Sequence, residues 1–269
     1  MVTMSVLLVK EFKILMTEEE LKQKHDIMRE GGKIMAQIFE DLRGFTKAGV
    51  TGLEADKFCE SKILEYGAEV AYYEPEVDFP GSICISVNNE LIHGIPKDIE
   101  FEDGDKVSYD LVIKYKGWYV DAAFTMVVGG DKSTSAIQRH LIKTTEDALM
   151  AGISKVKAGA HIGDLGAAVQ HVLEKGKLGV IYEYVGHGIG TSMHMEPEIP
   201  NYGKKGRGPI LKAGDTICIE PMSSVGKPET VVVEGDDGWT VCLKDGSFGA
   251  HCEHTIWVGE DGCEILTRK

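Results

Sequence analysis

An internal repeat constrains the fold most strongly, because two related segments of one chain form two related structural units. Residues 47–54 resemble residues 157–165, and each segment opens a predicted helix. The tetrapeptide HGIP at 93–96 is echoed by HGIG at 187–190. The 269 residues accommodate only two such units. The repeat therefore predicts a duplicated domain with pseudo-twofold symmetry and excludes a solenoid.

A carboxylate ends the same seven-residue frame in both halves. Residues 104–110 read GDKVSYD and residues 214–220 read GDTICIE, so Asp110 and Glu220 occupy equivalent positions. Equivalent positions in two halves related by a twofold axis converge on that axis. The repeat thus predicts acidic side chains at the centre of the molecule.

Helix-capping signals locate the long helices. Thr17 with Glu20, and Thr51 with Glu54, have the spacing of reciprocal capping boxes. A long helix is predicted over 17–43, and a second joins the halves over 133–156. One domain over 1–269 is expected, with halves at about 17–130 and 134–266. The predicted buried face of the first helix contains Leu21, Met28, Met35, Ile38, Phe39 and Leu42.

A predicted hairpin carries two aspartates. Strands over 107–114 and 118–128 flank a turn at 115–117, and pairing outward from residues 115 and 116 places Asp110 opposite Asp121. Facing carboxylates on a largely apolar hairpin are unfavourable unless a cation lies between them. The hairpin therefore predicts a divalent metal ion, the alternative being two solvated acids at a sheet edge.

Three more residues are candidate ligands. Glu220 ends an apolar strand before Pro221, and Glu253 precedes another strand. His187 lies between two glycines that allow close approach of a ligand or backbone, although such a histidine is also common in turns. Four carboxylates and one imidazole suit divalent Mn, Fe, Co or Zn. A pair of ions about 3.5 to 4 Å apart is used by hydrolases, aminopeptidases among them.

The other histidines and the cysteines receive a structural interpretation. The cysteines lack a Cys-x-x-Cys pair and are predicted to be reduced thiols. His251, Cys252, His254 and Cys263 lack the paired spacing of a zinc finger. The histidines predicted to be structural or surface residues are His25, His140, His161, His171, His251 and His254.

Charge and hydropathy exclude other classes. The formal net charge of -14 argues against a nucleic-acid surface, which needs clustered Lys and Arg. No apolar stretch approaches the roughly 20 residues of a membrane span, and the N-terminus lacks the features of a signal peptide. A cytoplasmic protein is the expectation.

The candidate ligands, in their order and context, resemble those of type I methionine aminopeptidases over residues 17–266. The resemblance implies the pita-bread fold of the creatinase and aminopeptidase group, an α+β architecture with an antiparallel sheet core covered by helices. It also implies removal of the initiator methionine from nascent proteins by a dinuclear site that activates a bridging water. Asp121 and Glu253 would bridge two ions. Asp110 would be a further ligand of one ion, and His187 and Glu220 would be further ligands of the other ion.

Further roles follow from the resemblance alone. Glu220 would shuttle the proton to the leaving amine, and His93 and His194 would hydrogen-bond the substrate and stabilise its tetrahedral intermediate. Residues 73–78 depart from the family, which has an aromatic and glycine-rich segment there, because they include Glu74, Glu76 and Asp78. The methionine side-chain pocket would be lined by Phe79, Cys84, Trp239 and Met193, the last of which stands where the family often has Phe.

Rival functions use the same fold. The interval between His194 and Glu220 leaves no room for the inserted subdomain of type II enzymes, and the chain starts without the zinc-binding extension of eukaryotic type I enzymes. Xaa-Pro peptidases usually carry a large N-terminal domain, whereas about 16 residues precede the first helix here. A non-catalytic pita-bread binding protein would normally have lost a ligand, and structural calcium fits poorly with His187. A monomeric bacterial-type enzyme with transient ribosome contact is the expectation.

Overall fold

The computed structural model describes residues 16–75, 77–232 and 237–269. Glu76 lies outside the described residues. The described helices are α1 (Glu18–Phe45), α2 (Gly52–Glu65), α3 (Ala136–Ile153) and α4 (Ile162–Lys175). The described strands of the first half are β1 (Glu69–Val70), β2 (Cys84–Val87), β3 (Glu90–Ile92), β4 (Lys106–Tyr115) and β5 (Trp118–Val127). Those of the second half are β6 (Gly179–Val180), β7 (Gly186–Gly188), β8 (Met195–Ile199), β9 (Thr216–Ile219), β10 (Met222–Ser224), β11 (Thr230–Val232), β12 (Val241–Leu243), β13 (Gly249–His251), β14 (Glu253–Val258) and β15 (Cys263–Ile265).

Capping determines where the helices begin. Thr17 and Thr51 form the predicted capping boxes of α1 and α2. In each box the threonine hydroxyl accepts a hydrogen bond from the backbone N–H of the glutamate three residues later, and the side chain of that glutamate accepts one from the backbone N–H of the threonine. The predicted buried face of α1 is confirmed except at Leu21, which is half-buried. The helix predicted over 133–156 is confirmed as α3.

One antiparallel sheet of nine strands joins the two halves. Its order is β1-β4-β5-β14-β9-β7-β8, with β2 beside β4 and β15 beside β14. The halves meet where β5 pairs with β14, with Ala123 opposite Glu253. Two three-stranded sheets, β13-β10-β6 and β11-β12-β3, complete the described strands. This is the predicted pita-bread architecture.

The duplication is visible in individual hydrogen bonds. The Gly104 N–H donates to the carbonyl of Val128 at 2.9 Å, and the Gly214 N–H donates to that of Val258 at 2.9 Å. Thr51 and His161 are the N-cap residues of α2 and α4. Thr51 forms an isolated β-bridge with Glu100, just before residues 104–110, and His161 forms one with Ile210, just before residues 214–220. These pairs support the pseudo-twofold relation, while the boundaries 17–130 and 134–266 stay predictions.

The predicted register of the hairpin was wrong by two residues. Asp110 lies opposite Ala123, and Asp121 lies opposite Val112, because Tyr115 pairs with Trp118 across a two-residue turn. Lys116 and Gly117 both have positive φ in this turn, as a type I′ hairpin requires. A shift of two residues leaves each side chain on its original face. Asp110 and Asp121 are therefore diagonal neighbours on one face.

The opposite face of the hairpin packs on α1. Tyr109 is buried there, its hydroxyl 2.8 Å from that of Thr46, and its ring lies 5.3 Å from that of Phe124. Helix α1 therefore covers one face of β4 and β5 and leaves the face with the two aspartates to the site.

Among the described residues, no helix has the length and apolar character of a membrane span.

A buried lysine in β4 leads to a prediction about stability. Lys106 is fully buried, and its ammonium donates to the carbonyls of Ser86 and Glu90 at 3.2 and 2.8 Å. Burial lowers the pKa of Lys106 to about 7. The unfolded chain, whose lysines titrate near 10.4, thus binds more protons above pH 7, and stability rises with pH.

Lys106→Met should remove this contribution. Between pH 7 and 9 the free energy of unfolding of the wild type should rise by about 2 kcal/mol more than that of the variant. Urea unfolding of both metal-free chains at several pH values measures the difference. Equal pH dependence in the two chains would show that Lys106 keeps its ordinary pKa.

Candidate metal centre

Four carboxylates converge on the face of the sheet that α1 leaves open. Asp110 and Asp121 come from β4 and β5, Glu253 is the first residue of β14, and Glu220 directly follows β9. Asp121 and Glu253 are buried, whereas Asp110 and Glu220 each expose only about an eighth of the side chain. The cluster therefore combines acids from both halves at the junction of β5 and β14, as the repeat predicted.

His187 faces this cluster with a defined nitrogen. Its Nδ1 donates to the carbonyl of Gly188 at 2.9 Å, which leaves Nε2 as the acceptor. Nε2 lies 3.8 Å from Asp121 Oδ2 and 3.6 Å from Glu220 Oε1. Burial, followed by the neighbouring His194, lowers the pKa of His187 to about 4. A neutral imidazole with a free Nε2 is the form that binds a metal ion.

The glycines beside His187 are required by close backbone approaches. A Cβ on Gly186 would lie 2.3 Å from the carbonyl oxygen of Cys218, and one on Gly188 would lie 2.4 Å from that of Glu196. Strand β7 can therefore enter the sheet beside β8 and β9 only with glycine at both positions. The predicted reason for these glycines is confirmed.

The electrostatics of the cluster call for cations. Burial and then the neighbouring carboxylates raise the pKa values of Asp121, Glu220 and Glu253 well above their ordinary range, and burial also raises that of Asp110. Asp121 Oδ1 and Glu253 Oε1 are buried without a hydrogen-bond partner. Divalent ions would neutralise these charges and satisfy the unpaired oxygens. The residues present therefore fit a metal site.

Two side chains at the cluster were not predicted as site residues. The sequence predicts a structural or surface role for His251, but its Nε2 lies 3.5 Å from Glu220 Oε2 and 3.8 Å from Glu253 Oε2. Cys218, on β9, could share a metal ion with Asp121, His187 and Glu253 by the spacing of their ligand atoms. Burial and then nearby carboxylates raise the pKa of the Cys218 thiol well above its ordinary range, which favours the protonated thiol.

One cavity of about 320 Å³ collects the predicted site residues. It is also lined by Tyr72, Val77 and Val112, which the sequence did not single out. The carboxylates and His187 form its polar end. The predicted residues that line it are Phe79, Cys84, His93, Asp110, Asp121, His187, Met193, His194, Glu220, Trp239 and Glu253.

The other end of the cavity is apolar and aromatic. The Phe79 ring meets that of Trp239 edge-on at 5.5 Å and lies 5.1 Å from that of Tyr72. The Cys84 thiol donates to the Tyr72 hydroxyl at 3.6 Å. This wall offers burial to one apolar side chain, with no charged group among these four residues.

The acids that depart from the family pattern do not line this cavity where they are described. Glu74 accepts from the Lys114 ammonium at 2.6 Å and from the Tyr119 hydroxyl, so its charge is paired. Asp78 uses its backbone carbonyl to accept from Trp239 Nε1 at 2.9 Å, which orients the indole. The apolar character of the wall is therefore retained despite these acids.

His93 and His194 lie at the sides of the cavity. The His194 ring meets the His187 ring edge-on at 4.4 Å, and His93 meets Trp239 edge-on at 6.2 Å. Burial and then the neighbouring His251 and His194 lower the pKa of His93 to about 4. A neutral His93 can donate from one nitrogen only. Both rings are close to the ligand set without joining the carboxylate cluster.

The fold and the clustered metal-binding side chains define a metallopeptidase. The profile of metallopeptidase family M24 matches residues 26–260, and the chain belongs to this family. Membership implies divalent metal ions as cofactors.

Two similar proteins share nearly the whole chain. The methionine aminopeptidase of Mycoplasma capricolum is 42% identical over 241 residues, which are 90% of this chain and 94% of that protein. The crystal structure of methionine aminopeptidase from Rickettsia prowazekii matches with a TM-score of 0.87 and 38% identity, over 91% of this chain and 97% of that chain.

Prolidase from Pyrococcus furiosus shares the fold at lower identity. It matches with a TM-score of 0.73 and 22% identity, over 97% of this chain and 67% of the prolidase. This likeness extends to the fold alone.

Proposed function

We propose that the protein is a methionyl aminopeptidase, which hydrolyses the peptide bond after an N-terminal methionine in nascent proteins and peptides. One observation carries the proposal: a single cavity of about 320 Å³ joins a set of four carboxylates and one imidazole to an apolar wall. The similar proteins that carry this name, matched over nearly their whole length, support it.

The cofactor is proposed to be two divalent ions, with Co, Mn, Fe and Zn as the candidates. Asp121 and Glu253 would be shared between the ions, Asp110 would complete one, and His187 with Glu220 the other. When bound, such ions polarise a carbonyl and lower the pKa of a water molecule. Four carboxylates balance the charge of two divalent ions, which supports this stoichiometry.

Glu220 has the position of a general base. It directly follows β9 and lines the cavity with 12% of its side chain exposed, whereas the side chain of Glu253 is 2% exposed. Without metal ions, burial and then the Asp110 charge raise the pKa of Glu220, which favours uptake of a proton by this carboxylate. It would accept a proton from the attacking water and deliver it to the leaving amine.

His93 and His194 would act on the substrate. Both line the cavity beside the ligand cluster, where a scissile peptide bond must lie. Each neutral ring can donate one hydrogen bond to the substrate carbonyl or amide, and such donors act most strongly as charge develops on the oxygen. Neither ring is needed to hold a metal ion.

The apolar wall would select the first side chain. Phe79, Trp239, Tyr72 and Cys84 enclose one end of the cavity, which Met193 also lines. An unbranched methionine side chain would bury its thioether among these residues, where sulfur–aromatic contacts are favourable. A side chain branched at Cγ needs more width close to the backbone.

A peptide panel tests this function. The metal-loaded protein should release methionine from Met-Ala-Ser with a kcat/KM about 10- to 200-fold higher than for release of leucine from Leu-Ala-Ser. Ala-Pro-Ala should remain intact, and chelation should abolish release until manganese or cobalt is restored. Cleavage of Ala-Pro-Ala instead would assign an Xaa-Pro peptidase, and inactivity toward every peptide would assign a non-catalytic binding protein.

Location and assembly are part of the same proposal. We propose a monomeric enzyme that acts in the cytoplasm, where nascent chains emerge, with a transient ribosome contact. The net charge of -14 supports contact with ribosomal protein or with the emerging chain and disfavours contact with rRNA. Bulky second residues should slow methionine release, because the substrate must extend out of a confined cavity.

A further inference from the structure

His251 is a buried imidazole without a partner. Its side chain is 2% exposed, and neither Nδ1 nor Nε2 makes a hydrogen bond among the described residues. Burying an imidazole with both nitrogens unpaired costs free energy unless a bound ligand pairs with them. Because three carboxylates surround the ring, the missing partner is expected to be a cation or a donated proton.

The spacing around His251 reproduces that around His187. His187 Nε2 lies 3.6 Å from Glu220 Oε1 and 3.8 Å from Asp121 Oδ2. His251 Nε2 lies 3.5 Å from Glu220 Oε2 and 3.8 Å from Glu253 Oε2. The two imidazoles therefore face different oxygens of Glu220, each together with one further carboxylate. Atoms at this separation can bind a common ion with bonds of about 2.0 to 2.2 Å.

The duplication gives His251 the position of a candidate ligand. Where β5 meets β14, the Thr255 hydroxyl accepts from the Asp121 N–H at 2.9 Å and donates to its carbonyl at 2.7 Å. The Thr125 hydroxyl likewise accepts from the His251 N–H at 3.1 Å and donates to its carbonyl at 2.8 Å. These two pairs flank the pairing of Ala123 with Glu253.

His251 is thus the pseudo-twofold counterpart of Asp121, just as Glu220 is that of Asp110. Asp121 lies four residues before Thr125, which is hydrogen-bonded to the backbone of His251. His251 lies four residues before Thr255, which is hydrogen-bonded to the backbone of Asp121. The symmetry that brings Asp121 to the centre must bring residue 251 there too. A side chain with a metal-binding nitrogen stands at that position.

We propose that His251 is a further metal ligand, whose Nε2 binds the divalent ion that His187 does not bind, beside Glu253 Oε2 and Glu220 Oε2. Each ion then has one imidazole: His187 for one and His251 for the other. His251 Nδ1, 3.9 Å from Asp110 Oδ2, keeps its proton and points it toward that carboxylate. The inference rests on the proposed two-ion site.

The nature of the added ligand has a consequence for the site. An imidazole is neutral, so it adds a donor without adding to the negative charge of the four carboxylates. It is also a softer donor than oxygen, which shifts the preference of that position toward iron, cobalt and zinc and away from magnesium and calcium. The two ions should accordingly bind with more similar affinities than in a site with one imidazole.

Proton NMR of the cobalt(II)-loaded protein counts the bound imidazoles directly. A ring bound through Nε2 retains an Nδ1–H that the paramagnetic ion shifts far outside the normal range and that disappears in deuterium oxide. The wild type should show two such resonances and His251→Gln one. His254→Gln is the matched control, because His254 is a neighbouring, largely buried histidine whose Nδ1 meets Thr267 at 2.8 Å, away from the carboxylates; it should keep both.

Calorimetric titration of cobalt(II) into chelated protein gives a second readout. His251→Gln should weaken one of the two binding steps by about 100-fold or more, since even residues that only support a ligand affect affinity 10- to 100-fold. His254→Gln should leave both steps unchanged.

A single shifted resonance in the wild type, unchanged in His251→Gln, would overturn the inference and make His251 a hydrogen-bond donor to Glu220. The count in the wild type decides the question even if His251→Gln does not fold. The peptide panel is independent: two bound imidazoles in a protein that releases no methionine would refute the proposed function and leave the ligand assignment standing.

Discussion

Replacing Glu253 with glutamine is expected to abolish binding of at least one metal ion and to lower kcat/KM for Met-Ala-Ser by about 10³-fold or more. The carboxylate is buried at the junction of the two halves, with one oxygen unpaired, so no solvent or neighbouring group can replace it. A bound metal ion supplies several kcal/mol of transition-state stabilisation, and each 1.36 kcal/mol is worth about tenfold in rate.

The same substitution should have the opposite effect on the stability of the metal-free chain. Burial and then the charges of Glu220 and Asp110 raise the folded-state pKa of Glu253 above its unfolded-state value. The carboxylate therefore destabilises the fold once the pH exceeds the unfolded-state value, and this cost grows as pH rises toward the folded-state pKa. Chelated Glu253→Gln should be more stable than the chelated wild type at pH 8, by about 1 to 3 kcal/mol.

Metal content by elemental analysis, peptide kinetics and urea unfolding after chelation measure these effects. Glu260→Gln is the control, because Glu260 is exposed in the turn between β14 and β15 and its replacement should alter none of them. Full metal content and activity in Glu253→Gln would refute the proposed ligand set. Equal stability of the two chelated chains would show that Glu253 keeps its ordinary pKa in the metal-free fold.

Replacing His194 with glutamine is expected to lower kcat about 10²- to 10³-fold while metal content stays unchanged, which is the cost of losing one donor to a developing oxyanion. His194 lines the cavity and touches the His187 ring, yet it lies outside the carboxylate cluster. His93→Gln should behave in the same way, because His93 also lines the cavity outside the carboxylate cluster.

Kinetics and metal analysis of the two variants separate this role from that of a ligand. His171→Gln, on the exposed surface of α4, is the matched control and should keep the wild-type kcat. Loss of metal from His194→Gln or His93→Gln would make that histidine a ligand. An unchanged kcat would remove it from the proposed mechanism.

Local signals in the sequence were sufficient for the helices and for much of the site. Thr17 and Thr51 carry their capping partners three residues away, so the starts of α1 and α2 depend on neighbouring residues only. The glycines on both sides of His187 also predicted a close approach of backbone or ligand, and the structure has backbone carbonyl oxygens too close to allow a Cβ at either position. The convergence of Asp110 and Glu220 followed from the repeat, because symmetry relates positions without knowledge of side-chain contacts.

The hairpin register and the position of His251 beside the carboxylates depend on contacts that the local sequence does not specify. Whether residues 115–117 form a two-residue or a longer turn depends on positive φ at Lys116 and Gly117. The predicted register was shifted by two residues, and a shift of an even number of residues leaves the side chains of Asp110 and Asp121 on the predicted face. His251 had a signal in the repeat, four residues before Thr255 as Asp121 precedes Thr125. That spacing acquires meaning only once β5 is known to pair with β14.

Periodicity, capping and symmetry within the chain were enough to predict the duplicated architecture, the helix starts and the acidic centre, and the order of the ligands was enough for the likeness to methionine aminopeptidases. Tertiary structure alone decided that Glu74 is paired with Lys114, that Tyr72 joins the apolar wall, and that His251 reaches Glu220 and Glu253. The physical reason is that these contacts join residues far apart in sequence, and their distances depend on how the two halves pack.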